Sequence, residues 1–499
     1  MKYTSTRNNR LHISSAEAIT KGISEDGGLF VPETLPKINL EFIDKLCALD
    51  YQARAVEILS LFLTDFSREE LVEYTKGAYG SGKFSSEKTC PVVSVGDGLN
   101  ILELWKGPTC AFKDMALQIL PYLLTASAKK IDNDKQIVIL VATSGDTGKA
   151  ALEGFKDVEG TNILVFFPSD GVSPMQKLQM TTQEGENVGV CAIKGNFDDA
   201  QNGVKAIFTD TEIKKTLDEN GYAFSSANSI NWGRLVPQIV YYFSAYCDSV
   251  NAGEIKMGDK MNFVVPTGNF GNILAAYFAY RCGLPVNKLI CASNANNVLT
   301  DFIETGVYDR NRSFFTTCSP SMDILISSNL ERLLFMLCDY DDAPIKDWFT
   351  KLKDSGKYEI TGDVLAKMQT VFASGCCDDE ETKATIKKYF ENKNYLADTH
   401  TAVALKVYDD YREKTGDNTP TVIASTASPF KFCKAVLEAV KNGNIEADNE
   451  FDMLKELERV TGNVAPKQLS ELKGKTPRFT DVVEKNEMTD MVFGQLNIK

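Results

Sequence analysis

The sequence predicts an α/β protein built on open, mostly parallel sheets with helices on both faces. Three observations carry this. One local unit recurs along the chain: a short apolar run, a polar Gly/Ser/Asn loop, then a helical period. In each repeat the polar loop follows the apolar run, so it sits at the carboxyl end of a strand. Finally, 499 residues exceed what one core holds, and 43% hydrophobic with 24% charged residues gives ample packing material. Domains of about 100–200 residues imply two to four of them.

Taken in order, Asn100–Leu104 leads through residues 106–111 into a helix from about Phe112. Ile137–Ala142 leads through Thr143–Gly148 into a helix from about Lys149. Ile163–Phe167 precedes Pro174–Met180, and Val188–Ile193 precedes a helix after Gly195–Asp199. Tyr222–Ser226 leads into Trp232–Tyr246, and Asn262–Val265 into Asn272–Cys282. Thr421–Ala424 leads through Ser425–Ser428 into Pro429–Val440. Residues 1 to about 90 and about 330 to 395 are helix-rich and carry no chemical pattern. Open α/β sheets bind ligands at the carboxyl ends of their strands, where helix N-termini face the site.

Composition narrows the partners. A formal net charge of -14 opposes non-specific attraction to nucleic acid or anionic membranes, so neither is expected. An anionic ligand then needs a locally positive pocket. Met1–Thr20 is polar and holds no signal-peptide core, and the longest apolar runs are strand-length. The 12 cysteines form no Cys-x-x-Cys pair, and His12 and His400 are the only histidines. No Cys/His zinc arrangement is available, so no metal is expected; the cysteines read as reduced thiols of a cytoplasmic protein.

Four loops carry candidate chemistry. In Gly107-Pro108-Thr109-Cys110-Ala111-Phe112-Lys113-Asp114, a lysine stands at a helix start with an apolar flank. Both surroundings disfavour its ammonium form, which suits an imine-forming lysine. In Thr267-Gly268-Asn269-Phe270-Gly271-Asn272 the glycines allow close backbone approach, and the following helix offers free N–H groups to a phosphate. Neither a Walker pattern nor a dinucleotide fingerprint is present. Thr143-Ser144-Gly145-Asp146-Thr147-Gly148 suits a carboxylate or phosphate, and Ser425-Thr426-Ala427-Ser428-Pro429-Phe430 places hydroxyls before a helix. Each has a plainer reading when taken alone: a solvated lysine, a strand-to-helix turn, two N-caps.

Together and in this order, Ala111-Phe112-Lys113-Asp114, Thr143–Gly148, Pro266–Asn272 and Ser425–Pro429 resemble the threonine synthase family, in its longer fungal and bacterial variety. Asp26–Pro32, Met175–Met180, Gly195–Asp199, Asn228–Arg234 and Asp398–Ala402 are similar too, so the resemblance spans about residues 3 to 480. It implies a fold type II enzyme using pyridoxal 5'-phosphate (PLP). An N-terminal domain (1–90), a large PLP-binding domain (91–135 and 255–499) and a small α/β domain (136–254) are expected. It implies conversion of O-phospho-L-homoserine and water to L-threonine and phosphate, by a monomer or homodimer.

By motif match, Lys113 should hold PLP as a Schiff base and act as the base. Gly268, Asn269, Phe270, Gly271 and Asn272 should cup the cofactor phosphate, and Thr426 should face the ring nitrogen. Thr143, Ser144, Asp146 and Thr147 should meet the substrate carboxylate or position the ring. Lys177 and Arg234 are candidates for the substrate phosphate, with Asn228, Ser229 and Asn231 as neutral donors. His400 suits a structural role as well as a catalytic one. Cys110 stands where relatives carry an apolar residue. The rival reading is a related phospho-lyase giving 2-oxobutyrate and phosphate, or a non-catalytic binding homologue.

Overall fold

Two parallel sheets organise the chain. The larger has six strands in the order Phe372–Cys376, Val286–Ser293, Met261–Pro266, Thr421–Ser425, Leu99–Glu103 and Val92–Gly96. All neighbours are parallel except the last pair. Three of its four inner strands, Met261–Pro266, Thr421–Ser425 and Leu99–Glu103, are buried at every residue, as strands covered on both faces are. The smaller sheet is parallel throughout, in the order Val482–Val483, Val188–Ile193, Thr161–Pro168, Gln136–Ala142 and Tyr222–Ser225. An N-terminal antiparallel sheet joins Asn8–Ile13, Tyr3–Ser5 and Phe30–Pro32. The computed structural model describes every residue except Ser81, Ser144, Gly171 and Lys499.

Two stretches depart from the sequence-based division. Helix Trp232–Asn251, expected with the small domain, packs on Gly271–Cys282, Tyr51–Phe62 and Leu40–Cys47. Its indole at Trp232 meets Tyr3, Phe62 and Phe278 in the largest apolar cluster. A fully buried tryptophan contributes about 5 kcal/mol of transfer free energy, so the helix goes where that surface is covered. The second stretch is Val482–Val483, expected with the larger sheet. It pairs with Ala192 and Ile193 of the smaller one.

Helix starts also shift, each for a visible reason. The helix expected from about Phe112 opens at Asp114 and runs only to Leu117, followed by Leu120–Lys130. Upstream, the Phe112 N–H donates to the Thr426 carbonyl, and the Asp114 carboxylate accepts from the N–H and hydroxyl of Thr109. These bonds hold residues 107–113 as a loop. Helix Asp146–Phe155 begins before Lys149 because Thr143 Oγ1 accepts from the Gly145 and Gly148 N–H groups. After Thr421–Ser425 the chain makes a single turn, Pro429–Phe432, before helix Cys433–Val440.

Candidate active site

Lys113 lies where loops from both sheets meet. Its loop is joined to the Ser425–Ser428 loop by an antiparallel bridge between Ala111 and Ala427 and by the Ser428 N–H donating to the Cys110 carbonyl. The Lys113 side chain is 10% exposed, and its Nζ sits 3.5 Å from Asp146 Oδ2 and 3.3 Å from Ser321 Oγ. Burial pulls its pKa below the ordinary lysine value; Asp146 opposes this, while the Lys431 and Arg234 cations add to it. A lysine so placed gives up its proton more readily than a solvated one. Cys110, just before it, is strained at φ 57° and buried, and burial pushes its thiol up to about 12. It is therefore an unreactive thiol.

Asp146 heads helix Asp146–Phe155, where the helix dipole favours an anion. Its Oδ1 accepts from Lys431 Nζ at 2.7 Å and Gln176 Nε2 at 3.0 Å. Burial works to raise its carboxyl, but the Lys431 and Lys113 ammonium groups outweigh burial and hold it well below the usual range. Its charge is thus largely spent on lysines. Thr143 is buried and shapes the loop, and Thr147 is half-buried beside Asp146. Ser144 lies outside the described residues.

The glycine loop has the character its sequence suggests. Phe270 adopts the left-handed region at φ 64°, and the helix it precedes, Gly271–Cys282, has no side-chain cap. A Cβ on Gly268 would stand 2.6 Å from the Ser321 carbonyl oxygen, so no side chain fits there. The Asn269 carbonyl accepts from the Asn329 backbone and side chain, and the Gly268 carbonyl from Ser327 Oγ, which turns the loop's N–H groups the other way. Asn272 Oδ1 accepts from both Tyr241 and Tyr242 hydroxyls at 2.6 Å, while its buried Nδ2 has no partner among the described residues. Uncapped helix donors and an orphaned amide fit a phosphate. Thr426 is buried, with its carbonyl bound to the Phe112 N–H.

The remaining candidates divide. Arg234 is 5% exposed; its Nη1 donates to the Ala227 carbonyl, and burial alone pulls it down to about 10. It is a desolvated cation close enough to Lys113 to depress that lysine. Lys177 stands exposed on helix Pro174–Thr181, Asn228 is exposed and Ser229 half-buried. Asn231 does not serve as a free donor. Its amide donates to the Ile19 and Ser226 carbonyls and its Oδ1 accepts from the Gly233 N–H, so the side chain is a saturated cap of helix Trp232–Asn251. His400 is buried between Asp398, which its Nδ1 meets at 2.9 Å, and the Ser321 N–H, which donates to its Nε2.

Comparison with known proteins bears on this assembly. Family models match in sequence: the threonine synthase N terminus over residues 2–79, the pyridoxal-phosphate dependent enzymes over 96–346, and the threonine synthase C-terminal model over 401–492. Threonine synthase of Saccharomyces cerevisiae is 38% identical over 91% of this chain and 93% of that protein. The chain belongs to the threonine synthase family of PLP-dependent enzymes.

Solved members of this family share the fold. The PLP-bound threonine synthase from Brucella melitensis superposes with a TM-score of 0.88 at 36% identity, covering 99% of both chains. The yeast enzyme gives 0.90 at 35% identity with the same coverage. Human threonine synthase-like 1 is 41% identical over 85% of this chain, but the chain spans only 58% of that protein's length.

Within this family site, sequence reasoning missed two neighbours of Lys113. Ser321 lies in a one-turn helix, Pro320–Met322, that no motif announces. Lys431 lies two residues past Pro429, and its only sequence signal is a lysine enclosed by Phe430 and Phe432.

Proposed function

We propose that the chain converts O-phospho-L-homoserine and water to L-threonine and phosphate, with PLP carried covalently on Lys113. One observation carries the reading: a buried, proton-shedding lysine shares its site, through Ser321, with a glycine loop whose helix donors and Asn272 amide are unspent. Gly268, Asn269, Phe270, Gly271 and Asn272 would hold the cofactor phosphate, and Thr426 would face the ring nitrogen. When bound, PLP supplies the electron sink for the substrate's carbon chain.

The chain's own residues do the rest. Lys113 takes and returns the protons that must leave and rejoin the substrate carbons. Thr143 and Thr147 receive the substrate carboxylate at the start of helix Asp146–Phe155, with Ser144 assigned to the same task by the sequence motif, while Asp146, neutralised by Lys431, does not repel it. Arg234, a desolvated cation without an offsetting carboxylate among the described residues, draws the substrate phosphate, with Lys177 and Asn228 nearer solvent. We also propose a reducing, cytoplasmic location, in keeping with twelve free cysteines.

The test is product analysis of the purified chain given PLP and O-phospho-L-homoserine. Threonine and phosphate should appear in equal amounts. Phosphate accompanied by 2-oxobutyrate instead of threonine, or no phosphate release, overturns the reading.

A further inference from the structure

Lys431 is buried more completely than Lys113, with its side chain 1% exposed. An unpaired ammonium at such a place costs several kcal/mol or loses its proton. Here its Nζ has two partners, Asp146 Oδ1 at 2.7 Å and the Thr109 carbonyl at 3.0 Å. Thr109 is fixed from its other side, because its N–H and hydroxyl both donate to Asp114. Lys431 therefore ties three loops together: its own, the lysine loop and the loop that carries Asp146.

The geometry at Asp146 is unequal. Lys431 and Gln176 both donate to Oδ1, while Oδ2 faces Lys113 Nζ at 3.5 Å. One carboxylate is thus held tightly by one lysine and loosely by another. A close Asp146–Lys113 pair would keep the Lys113 amine protonated, whereas a carboxylate held back leaves it free to shed its proton. The titratable groups bearing on this pair are Lys431 and Arg234 toward Lys113, and His400 toward Asp146.

We propose that Lys431 is a positioning residue for Lys113: by clamping Asp146 and the Thr109 carbonyl it holds the carboxylate back from the Lys113 amine. The proposal rests on Lys113 being the reactive lysine. It assigns a role to a residue that touches neither the amine nor the glycine loop. Without Lys431, Asp146 has Lys113 as its nearest cation and closes on it.

The experiment reads Lys113 in the cofactor-free chain. Trinitrobenzenesulfonate modifies free amines, and the Lys113 peptide is followed by mass spectrometry across pH to give a midpoint. Lys431→Met should raise the midpoint by about one pH unit, so that Lys113 reacts about ten-fold more slowly at a fixed pH below both midpoints. Asp146→Asn should lower it, and the double variant should match Asp146→Asn, because without the carboxylate Lys431 has nothing to hold back. Lys431→Arg should stay near the wild type.

A Lys431→Met midpoint equal to wild type overturns the proposal. So does a double variant whose midpoint lies as far above Asp146→Asn as Lys431→Met lies above wild type, since Lys431 would then act as a nearby charge and not through Asp146. If circular dichroism finds Lys431→Met unfolded, the comparison of the double variant with Asp146→Asn decides, since removing both partners of a buried pair costs less than removing one. No cofactor or substrate enters the measurement, so its failure is distinct from failure to make threonine.

Discussion

Two helix starts contribute to this site and are finished in opposite ways. Helix Thr399–Thr415 is closed by Asp398, a fully buried carboxylate. It accepts from the His400 and Thr401 N–H groups, from the Thr401 hydroxyl and from His400 Nδ1. Helix Gly271–Cys282 starts from a left-handed Phe270 with no side-chain cap and keeps an unpartnered amide at Asn272. The first end spends its donors on the scaffold and braces Ser321 through His400. The second leaves them for a ligand. The absence of a cap is thus as informative as its presence, because orphan donors at a buried helix end need some partner.

This contrast makes graded predictions. Lys113→Ala should cut turnover by a factor of about a thousand or more, with the melting temperature nearly unchanged, because the side chain is chemical rather than core. Asp398→Ala should instead cost about 3 kcal/mol of stability in denaturant unfolding, since it strands several buried donors, while PLP affinity changes little. Gly268→Ala should weaken PLP binding about ten- to a hundred-fold in a fluorescence titration, as its Cβ would press on the Ser321 carbonyl. If Asp398→Ala weakened PLP binding as much as Gly268→Ala, both ends would be ligand ends and the contrast would fail. Arg234→Ala should raise KM for the phosphorylated substrate about ten-fold and leave PLP affinity alone.

The smallest effect concerns pH. Burial raises the Asp114 carboxyl from 3.8 to about 6. The folded chain therefore keeps that proton to higher pH than the unfolded chain does. The stability this group contributes is full below about pH 4 and is lost as pH rises to about 6. The difference in melting temperature between wild type and Asp114→Asn should change by about one to three degrees across that interval and stay flat above it.

Much of the molecule was legible because βα units write themselves locally. Val188–Ile193 and Thr421–Ser425 are apolar runs bounded by loop residues, and the structure places strands there. Val286–Ser293 was not read as a strand, since Asn287 and Lys288 interrupt its apolar run. Phe372–Cys376 is a half-exposed edge of small residues with no alternation to detect. The site follows the same rule. Lys113 and Gly268 sit in loops whose local pattern carries meaning. Lys431 takes its meaning from Thr109 and Asp146, each hundreds of residues away in sequence. Asn231 errs the other way: it lies in a suggestive motif, but its amide is consumed by the Ile19 and Ser226 carbonyls.

The short strand Val482–Val483 has a mechanical consequence. The smaller sheet is tied to the rest of the chain where residues 131–135 enter it and where 226–231 leave it, and a third time through 473–481, which returns from the other body to pair at its edge. Glu450 adds a non-covalent hold, accepting the Met175 N–H at the start of helix Pro174–Thr181. A sheet on two neighbouring tethers can swing like a door on one hinge line. A third tether on the far edge removes that freedom, so any opening toward Lys113 must be a short twist about the line joining the tethers.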